Sequence, residues 1–258
     1  MRVAILGANG FLGKFITSQL KLKGYDVYPI TRQDVDLTSF YSVTRWLENT
    51  DPYAIVNCAT AANISVDTCS YDDIQNNLNI FLNFYNSSPN FTKFINVGSG
   101  AEFDRRTNID NILESEVLLA HPKDSYGYSK NIMSRLAKLN NKFYTLRLFG
   151  CFHPTEPDFR LFNRVAKGED VEIVDRRFDY FSAWDFLTVL EHYLNNDVYY
   201  RDVNCVYEEK LYLSEVLSKI RPVKVSGINP LNYTGSGRRL AEFDLPLLGL
   251  DKSIKEYK

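Results

Sequence analysis

The stretch Arg2-Val3-Ala4-Ile5-Leu6-Gly7-Ala8-Asn9-Gly10-Phe11-Leu12-Gly13 decides the fold. Val3 to Leu6 are apolar with no polar alternate, which marks a strand covered on both faces, as in helix-flanked parallel sheets. The glycines at 7, 10 and 13 then open a helical pattern over residues 11–23. Glycine gives a tight turn and a bare backbone, and a helix N-terminus offers free N–H groups and the positive end of its dipole, which together suit a diphosphate. The same string also closes an ordinary strand–helix corner. Its place directly after a first strand favours Gly7, Asn9, Gly10, Phe11, Leu12 and Gly13 as a dinucleotide-binding turn.

Outward from this turn, strands are expected over 25–30, 54–57, 94–97 and 143–148, with helices over 40–48, 72–85 and 126–139. Alternating β and α elements imply a parallel sheet with right-handed crossovers, so the fold class is α/β, a Rossmann-type doubly wound parallel sheet. Beyond residue 149 the rhythm loosens into a helix near 159–166, a strand over 171–174, a helix over 184–194, a strand over 203–207, a helix over 213–220 and a glycine-rich tail.

The chain has 258 residues, 45% hydrophobic and 24% charged, ordinary values for a chain with a sizeable core and unlike a disordered or fibrous one. Thirty Lys plus Arg against 32 Asp plus Glu leave a net charge of −2, without the basic excess that a nucleic-acid partner rewards. Cys58, Cys69, Cys151 and Cys205 form no C-x-x-C pair, and with His121, His153 and His192 they spell out neither a disulfide framework nor a metal site. The apolar run at the N-terminus is too short for a signal peptide or a membrane span. A cytoplasmic protein with no membrane partner is expected.

Two further constellations bear on chemistry. The second strand ends Ile30-Thr31-Arg32, where an NAD-selecting protein places a carboxylate for the ribose hydroxyls. Arg32 instead offers a planar cation suited to a 2′-phosphate, or is a solvated surface arginine. NADP(H) is therefore favoured, with NAD(H) as the alternative. In Asp124-Ser125-Tyr126-Gly127-Tyr128-Ser129-Lys130, Tyr126 and Lys130 are one helical turn apart and share a face. A free phenol has a pKa of about 10, and a nearby cation lowers it enough for proton transfer near neutral pH. A surface aromatic beside a solvated lysine would give the same pattern, but Ser99 follows a strand expected beside the cofactor, where open α/β sheets bind ligands. Ser99 would hold a carbonyl oxygen while Tyr126 passes it a proton.

Taken together these residues resemble the extended short-chain dehydrogenase/reductase superfamily, specifically its NAD-dependent epimerase/dehydratase group acting on nucleotide sugars. Other matching segments are Asp36-Leu37, Asn57-Cys58-Ala59-Thr60, Asn77, Leu146 to Pro154 and Phe178 to Asp185. The resemblance implies catalysis by Ser99, Tyr126 and Lys130, with Lys130 also holding the nicotinamide ribose. It implies adenine contacts at Asp36 and Leu37 and a cofactor-lining loop at Cys58, Ala59 and Thr60. It further implies a nucleotide-sugar substrate near Ser99, Gly100, Ala101, Arg147, Arg177 and Arg238, and a homodimer built as a four-helix interface from residues 72–85 and 126–139. A dinucleotide-binding domain is expected over 1–149, with 179–204 returning to it. A small C-terminal substrate-binding subdomain is expected from 150–178 and 205–258.

The departures narrow the activity. Gly100 and Ala101 stand where dehydratases of the family carry an acidic pair, and Ala101 stands where 3,5-epimerising reductases carry a cysteine. What remains is reduction of a 4-keto sugar, with Arg32 favouring NADPH. The alternatives are 4-epimerisation by an enzyme with tightly bound NAD and a non-catalytic NADP-binding regulator. Gly150 replaces a substrate-binding asparagine, and Phe178 replaces an arginine, with Arg176 and Arg177 just upstream. A smaller or more open sugar pocket is expected. Glu102 is expected to cap or be solvated rather than to reach the pocket.

Overall fold

The structure is a computed structural model that describes residues 1–61, 69–87 and 90–257. The chain order is β1 (Arg2–Leu6), α1 (Phe11–Leu22), β2 (Asp26–Ile30), α2 (Phe40–Thr50), β3 (Ala54–Asn57), α3 (Tyr71–Asn86) and β4 (Lys93–Ser99). It continues with β5 (Ile109–Ile112), α4 (Ser125–Ala137), β6 (Phe143–Leu148), β7 (Cys151–Phe152), α5 (Leu161–Ala166), β8 (Glu172–Asp175), β9 (Phe181–Ser182) and α6 (Ala183–Asn195). It closes with β10 (Asp202–Cys205), α7 (Leu213–Ser218), β11 (Lys224–Ile228), β12 (Tyr233–Gly235), α8 (Arg238–Ala241) and α9 (Leu250–Ser253).

Six parallel strands form the main sheet in the order β2-β1-β3-β4-β6-β10. The unbroken apolar run of β1 has the expected cause. Val3 and Ile5 pack with Phe15, Ile16 and Leu20 of α1 and with Phe186 and Leu190 of α6. Ala4 and Leu6 face the opposite layer, with Val43 and Leu47 of α2, Phe81 and Phe84 of α3, and Met133 of α4. The chain leaves β1 for β2 on one side and then crosses back to β3 on the other. The crevice between the carboxyl ends of β1 and β3 is therefore the switch point where such sheets bind ligands.

Side-chain caps start most of the long helices: Ser39 accepts from Ser42 N, Ser70 from Asp73 N, Asp124 from Gly127 N and Ser182 from Asp185 N. The helix α1 differs, because its N-cap is Gly10, with no side chain to satisfy the first-turn N–H groups. None of the described helices is long and apolar enough to cross a membrane.

Residues after β6 build a second cluster around Phe152, Phe162, Val165, Ile173, Leu213, Leu217 and Ile254, while α6 and β10 rejoin the large sheet. Three two-stranded parallel ladders, β11 with β8, β12 with β5 and β7 with β9, tie this region together. The strands β5, β7, β9, β11 and β12 go beyond those expected from the sequence. Ile109-Asp110-Asn111-Ile112 is half polar and Tyr233-Thr234-Gly235 sits in a glycine-rich tail, so neither shows a strand period; they pair with each other, and Tyr233 also exchanges backbone bonds with Arg177 and Asp179.

The second cluster encloses a carboxylate at its edge. Burial pushes Glu156 up to about 7 from 4.5, with the charge of Arg160 opposing it. A carboxyl raised in the folded state lowers stability as pH rises from about 4.5 to about 7, and by a constant amount above that. Replacing Glu156 by Gln should therefore stabilise the protein relative to wild type by about 2 kcal/mol at pH 8 and much less at pH 5, read by urea unfolding at both values. A difference independent of pH would contradict this assignment.

Candidate active site

The glycine corner explains itself in backbone distances. Gly7 has φ +72°, and a Cβ there would stand 2.8 Å from the Ala59 backbone of the loop after β3. Gly13 lies in the first turn of α1, where a Cβ would stand 2.3 Å from the Gly7 carbonyl oxygen. Any side chain at either position would drive α1 or the 58–60 loop off the end of β1. The crevice thus formed is a cavity of about 730 Å³. Gly7, Asn9, Gly10, Arg32, Asp36, Leu37, Cys58, Ala59 and Thr60 line it, as the sequence led one to expect. Thr31, Val35, Thr38, Asn76 and Ile80 also line it, and only the folded cavity reveals them. Phe11, Leu12 and Gly13 form the first turn of α1 beside it rather than its lining.

Arg32 is exposed at the mouth of this cleft, and the neighbouring Asp34 is turned back onto the Thr31 N–H and hydroxyl at 2.8 and 2.7 Å. Asp36 likewise accepts from the Thr38 N–H and hydroxyl, which hold its carboxyl below the usual range. Burial pushes the Cys58 thiol up to about 12, against the opposing charge of Lys130, so it stays a protonated lining group.

Ser99, Tyr126 and Lys130 gather at the carboxyl end of β4. The Ser99 hydroxyl accepts from Ala101 N–H at 3.2 Å, and its own N–H donates to Glu102 Oε1 at 2.8 Å, so a capping box fixes the turn over Gly100–Phe103. The helix α4 packs on that turn. Asp124 holds its first turn by accepting from Gly127 N at 2.8 Å. Lys130 Nζ donates to the Val97 carbonyl at 2.8 Å and lies 5.9 Å from the Tyr126 ring centre, as one helical turn of spacing requires. A second cation, Arg105, stands 5.8 Å from the same ring and is paired with Asp124 at 2.8 Å. Tyr126 is half-buried, whereas Lys130 is 3% exposed. Further polar bonds brace the ends of these elements: Asn57 donates to Asn96 Oδ1 at 2.9 Å, and Asn77 donates to Ser129 Oγ at 2.6 Å.

Arg147, expected at the substrate, is instead completely buried beneath the site. Its Nε donates to Glu102 Oε2 at 2.7 Å, and its Nη1 meets Asp202 Oδ1 and Asn204 Oδ1, each at 2.9 Å. Burial opposes its charge, and Asp202 and Glu102 more than offset that, holding its pKa above the ordinary value. Ser134 also donates to Glu102 Oε2, at 2.6 Å. Glu102 does cap, as expected, and it couples the Ser99 turn to β6, β10 and α4. Gly100 and Ala101 are likewise buried, Gly100 against the Phe149 ring, so neither offers a side chain to a ligand. Removing one partner of a buried pair typically costs about 3–5 kcal/mol. Arg147→Ala should lose stability on that scale in chemical denaturation; a loss under ~1 kcal/mol would show that the network is dispensable.

The two departures at Gly150 and Phe178 are one structural event. A Cβ at Gly150 would stand 2.6 Å from the Tyr180 ring and 3.0 Å from the Phe178 ring. Those rings stack on each other at 4.6 Å, and Tyr233 packs on Phe178 at 4.9 Å. An aromatic wall thus fills the space of the missing asparagine. Tyr233 stays a neutral phenol: burial raises its pKa, opposed by the Ser99 hydroxyl it approaches and by Arg105. Among the arginines, Arg176 rather than Arg177 lies over this wall, 4.9 Å from Phe178 and 5.8 Å from Tyr233. Arg177 turns to Tyr212 at 5.7 Å. Arg238 is exposed at the start of α8, and its neighbour Arg239 is the one engaged, with Glu114 at 3.5 Å.

An α1 N-terminus without a capping side chain, glycines that leave no room for a Cβ, and an adjoining cleft fit a dinucleotide diphosphate with its adenosine toward Arg32.

Comparison with known proteins agrees with this geometry. The spore coat polysaccharide biosynthesis protein SpsK of Bacillus subtilis (strain 168) is 26% identical over 149 residues, which cover 56% of this chain and 51% of that protein. The chain thus spans about half the length of this curated relative. Among solved structures, the GDP-mannoheptose C4 reductase MlghC of Campylobacter jejuni, with NADP bound, superposes with a TM-score of 0.79 at 17% identity, covering 99% of this chain and 96% of that one. A dTDP-4-dehydrorhamnose reductase of Clostridium acetobutylicum gives 0.80 at 22% identity, covering 100% and 98%. Residues 3–205, most of the chain, match the NAD dependent epimerase/dehydratase family. With its sheet order, its glycine corner and its Ser99, Tyr126 and Lys130 cluster, the chain belongs to that family.

Proposed function

We propose that the protein is an NADPH-dependent reductase of a nucleotide-activated 4-keto sugar. The observation that carries this reading is the convergence of Ser99, Tyr126 and Lys130 at the sheet edge beside a dinucleotide-shaped cleft with Arg32 at its mouth. The NADP-bound C4 reductase and the keto-sugar reductase among the similar folds support it.

Ketoreduction adds one hydride and one proton across a carbonyl. When bound, the nicotinamide supplies the hydride. The chain supplies the rest: the Ser99 hydroxyl donates a hydrogen bond to the substrate carbonyl oxygen, and Tyr126 donates its proton to that oxygen. Lys130, anchored to the Val97 carbonyl, keeps a fixed positive charge beside the phenol as the proton leaves. The Phe178 and Tyr180 rings remove polar contacts from the sugar side, and no acid–base pair or thiol follows Ser99 for dehydration or 3,5-epimerisation. A homodimer through α3 and α4, whose outer surface carries the exposed Tyr71 and Tyr128, belongs to the same reading. Sedimentation of the purified protein tests it, with a monomer as the contrary result.

The decisive assay follows NADPH absorbance with UDP-, GDP-, CDP- and dTDP-linked 4-keto sugars. Tyr126→Phe should lower turnover at least about a hundredfold while leaving NADP+ binding intact. Full activity in that variant would remove the proposed acid, and co-purified NAD with net epimerisation would replace reduction. Arg32→Ala should shift preference from NADPH toward NADH by about tenfold or more, through loss of one charge-assisted contact to the 2′-phosphate. An unchanged ratio would take Arg32 out of the site.

A further inference from the structure

The segment between β7 and α5 carries a cation that the reading above does not use. The Arg160 guanidinium lies 5.3 Å from the ring of Phe11, the first residue of α1. Its Nη2 donates to the Cys151 carbonyl at 3.1 Å, and its Nε pairs with Glu156 Oε2 at 3.1 Å. Its charge also reaches the Cys151 thiol, which in turn neighbours Cys58 of the cofactor-lining loop. Arg160 therefore bridges the second cluster and the glycine corner. Its side chain is 34% exposed, whereas that of Glu156 is 1% exposed, so the cation is reachable and its partner is not.

The glycine corner itself, from Gly7 to Gly13, contains no lysine or arginine. A diphosphate brings two full negative charges, and a helix N-terminus answers with roughly half a positive charge. We infer that Arg160 is a diphosphate-binding residue, reaching from the second cluster over Phe11 to clamp the dinucleotide at the start of α1. A planar guanidinium matches two phosphate oxygens at once. The partner carboxylate is a poor competitor, because burial makes Glu156 readily give up its charge. The same chemistry would suit the diphosphate of a nucleotide sugar, but contact with the first residue of α1 favours the cofactor. The inference rests on the reading of the glycine corner as a dinucleotide site.

The test is equilibrium binding by fluorescence titration on the full chain, comparing wild type with Arg160→Gln, which keeps a donor for the Cys151 carbonyl. The dissociation constant for NADP+ should rise about tenfold or more, the equivalent of one charge-assisted hydrogen bond, and Arg160→Lys should recover part of the loss. Binding of adenosine 2′-phosphate, which lacks a diphosphate, should not change. Unchanged NADP+ affinity overturns the inference. So does a loss confined to UDP or GDP, which would assign Arg160 to the substrate, and so does an equal loss for NADP+ and adenosine 2′-phosphate, which would mark general distortion. Should Arg160→Gln fail to fold, the Glu156→Gln/Arg160→Gln double variant leaves no lone charge behind and is titrated in the same way. Wild-type protein that binds neither NADP+ nor NAD+ would defeat the proposed function itself, whereas binding by wild type and variant alike defeats only the clamp.

Discussion

A single guanidinium with no access to water organises the catalytic edge of this protein. Arg147 projects from the middle of the sheet and is met by Glu102 of the turn after β4 and by Asp202 and Asn204 of β10. Buried charges are stable only when their partners are in place, so the ends of β4, β6 and β10 are held in one mutual arrangement. Glu102 carries that arrangement to the chemistry. One of its oxygens takes Arg147 and Ser134, and the other takes the N–H of Ser99. The hydroxyl expected to meet substrate is therefore positioned by a fully buried ion pair.

The same economy governs the helix that bears Tyr126. It is capped by Asp124, tied to α3 through Asn77 and Ser129, and anchored at its second turn by Lys130 on the Val97 carbonyl. The last of these ties fixes the helix to β4, two strands from β1 and next to β3. Tyr126, Ser99 and the cleft consequently share one frame, as the proposed transfer of a proton and a hydride to neighbouring atoms of one carbonyl would require.

The aromatic wall beside Gly150 is made by two departures acting together. Where the family resemblance led one to expect an amide and a guanidinium, Gly150 admits the stacked rings of Phe178 and Tyr180. Two substitutions that look independent along the chain are complementary in space, since either alone would leave a void or a clash. The nearest cation to this wall is Arg176, two residues before the expected position and therefore on the same side of an extended segment.

The sequence by itself determined the parallel sheet, the glycine corner and the Tyr126/Lys130 pair, because each rests on short-range rules: burial of both strand faces, absence of Cβ, and the rise of a single helical turn. It also led to Arg147, Gly100 and Ala101 as substrate contacts, and there the fold decided otherwise. Whether an arginine on a strand meets a ligand or a buried carboxylate depends on residues 45 and 55 positions away, Glu102 and Asp202, which no local pattern connects. The strands β5 and β12 were invisible for the same reason, since they pair with each other across more than a hundred residues and β12 also bonds to Arg177 and Asp179. Local chemistry is written in the order of residues, but the pairing of distant charges and edges is settled only when the chain closes on itself.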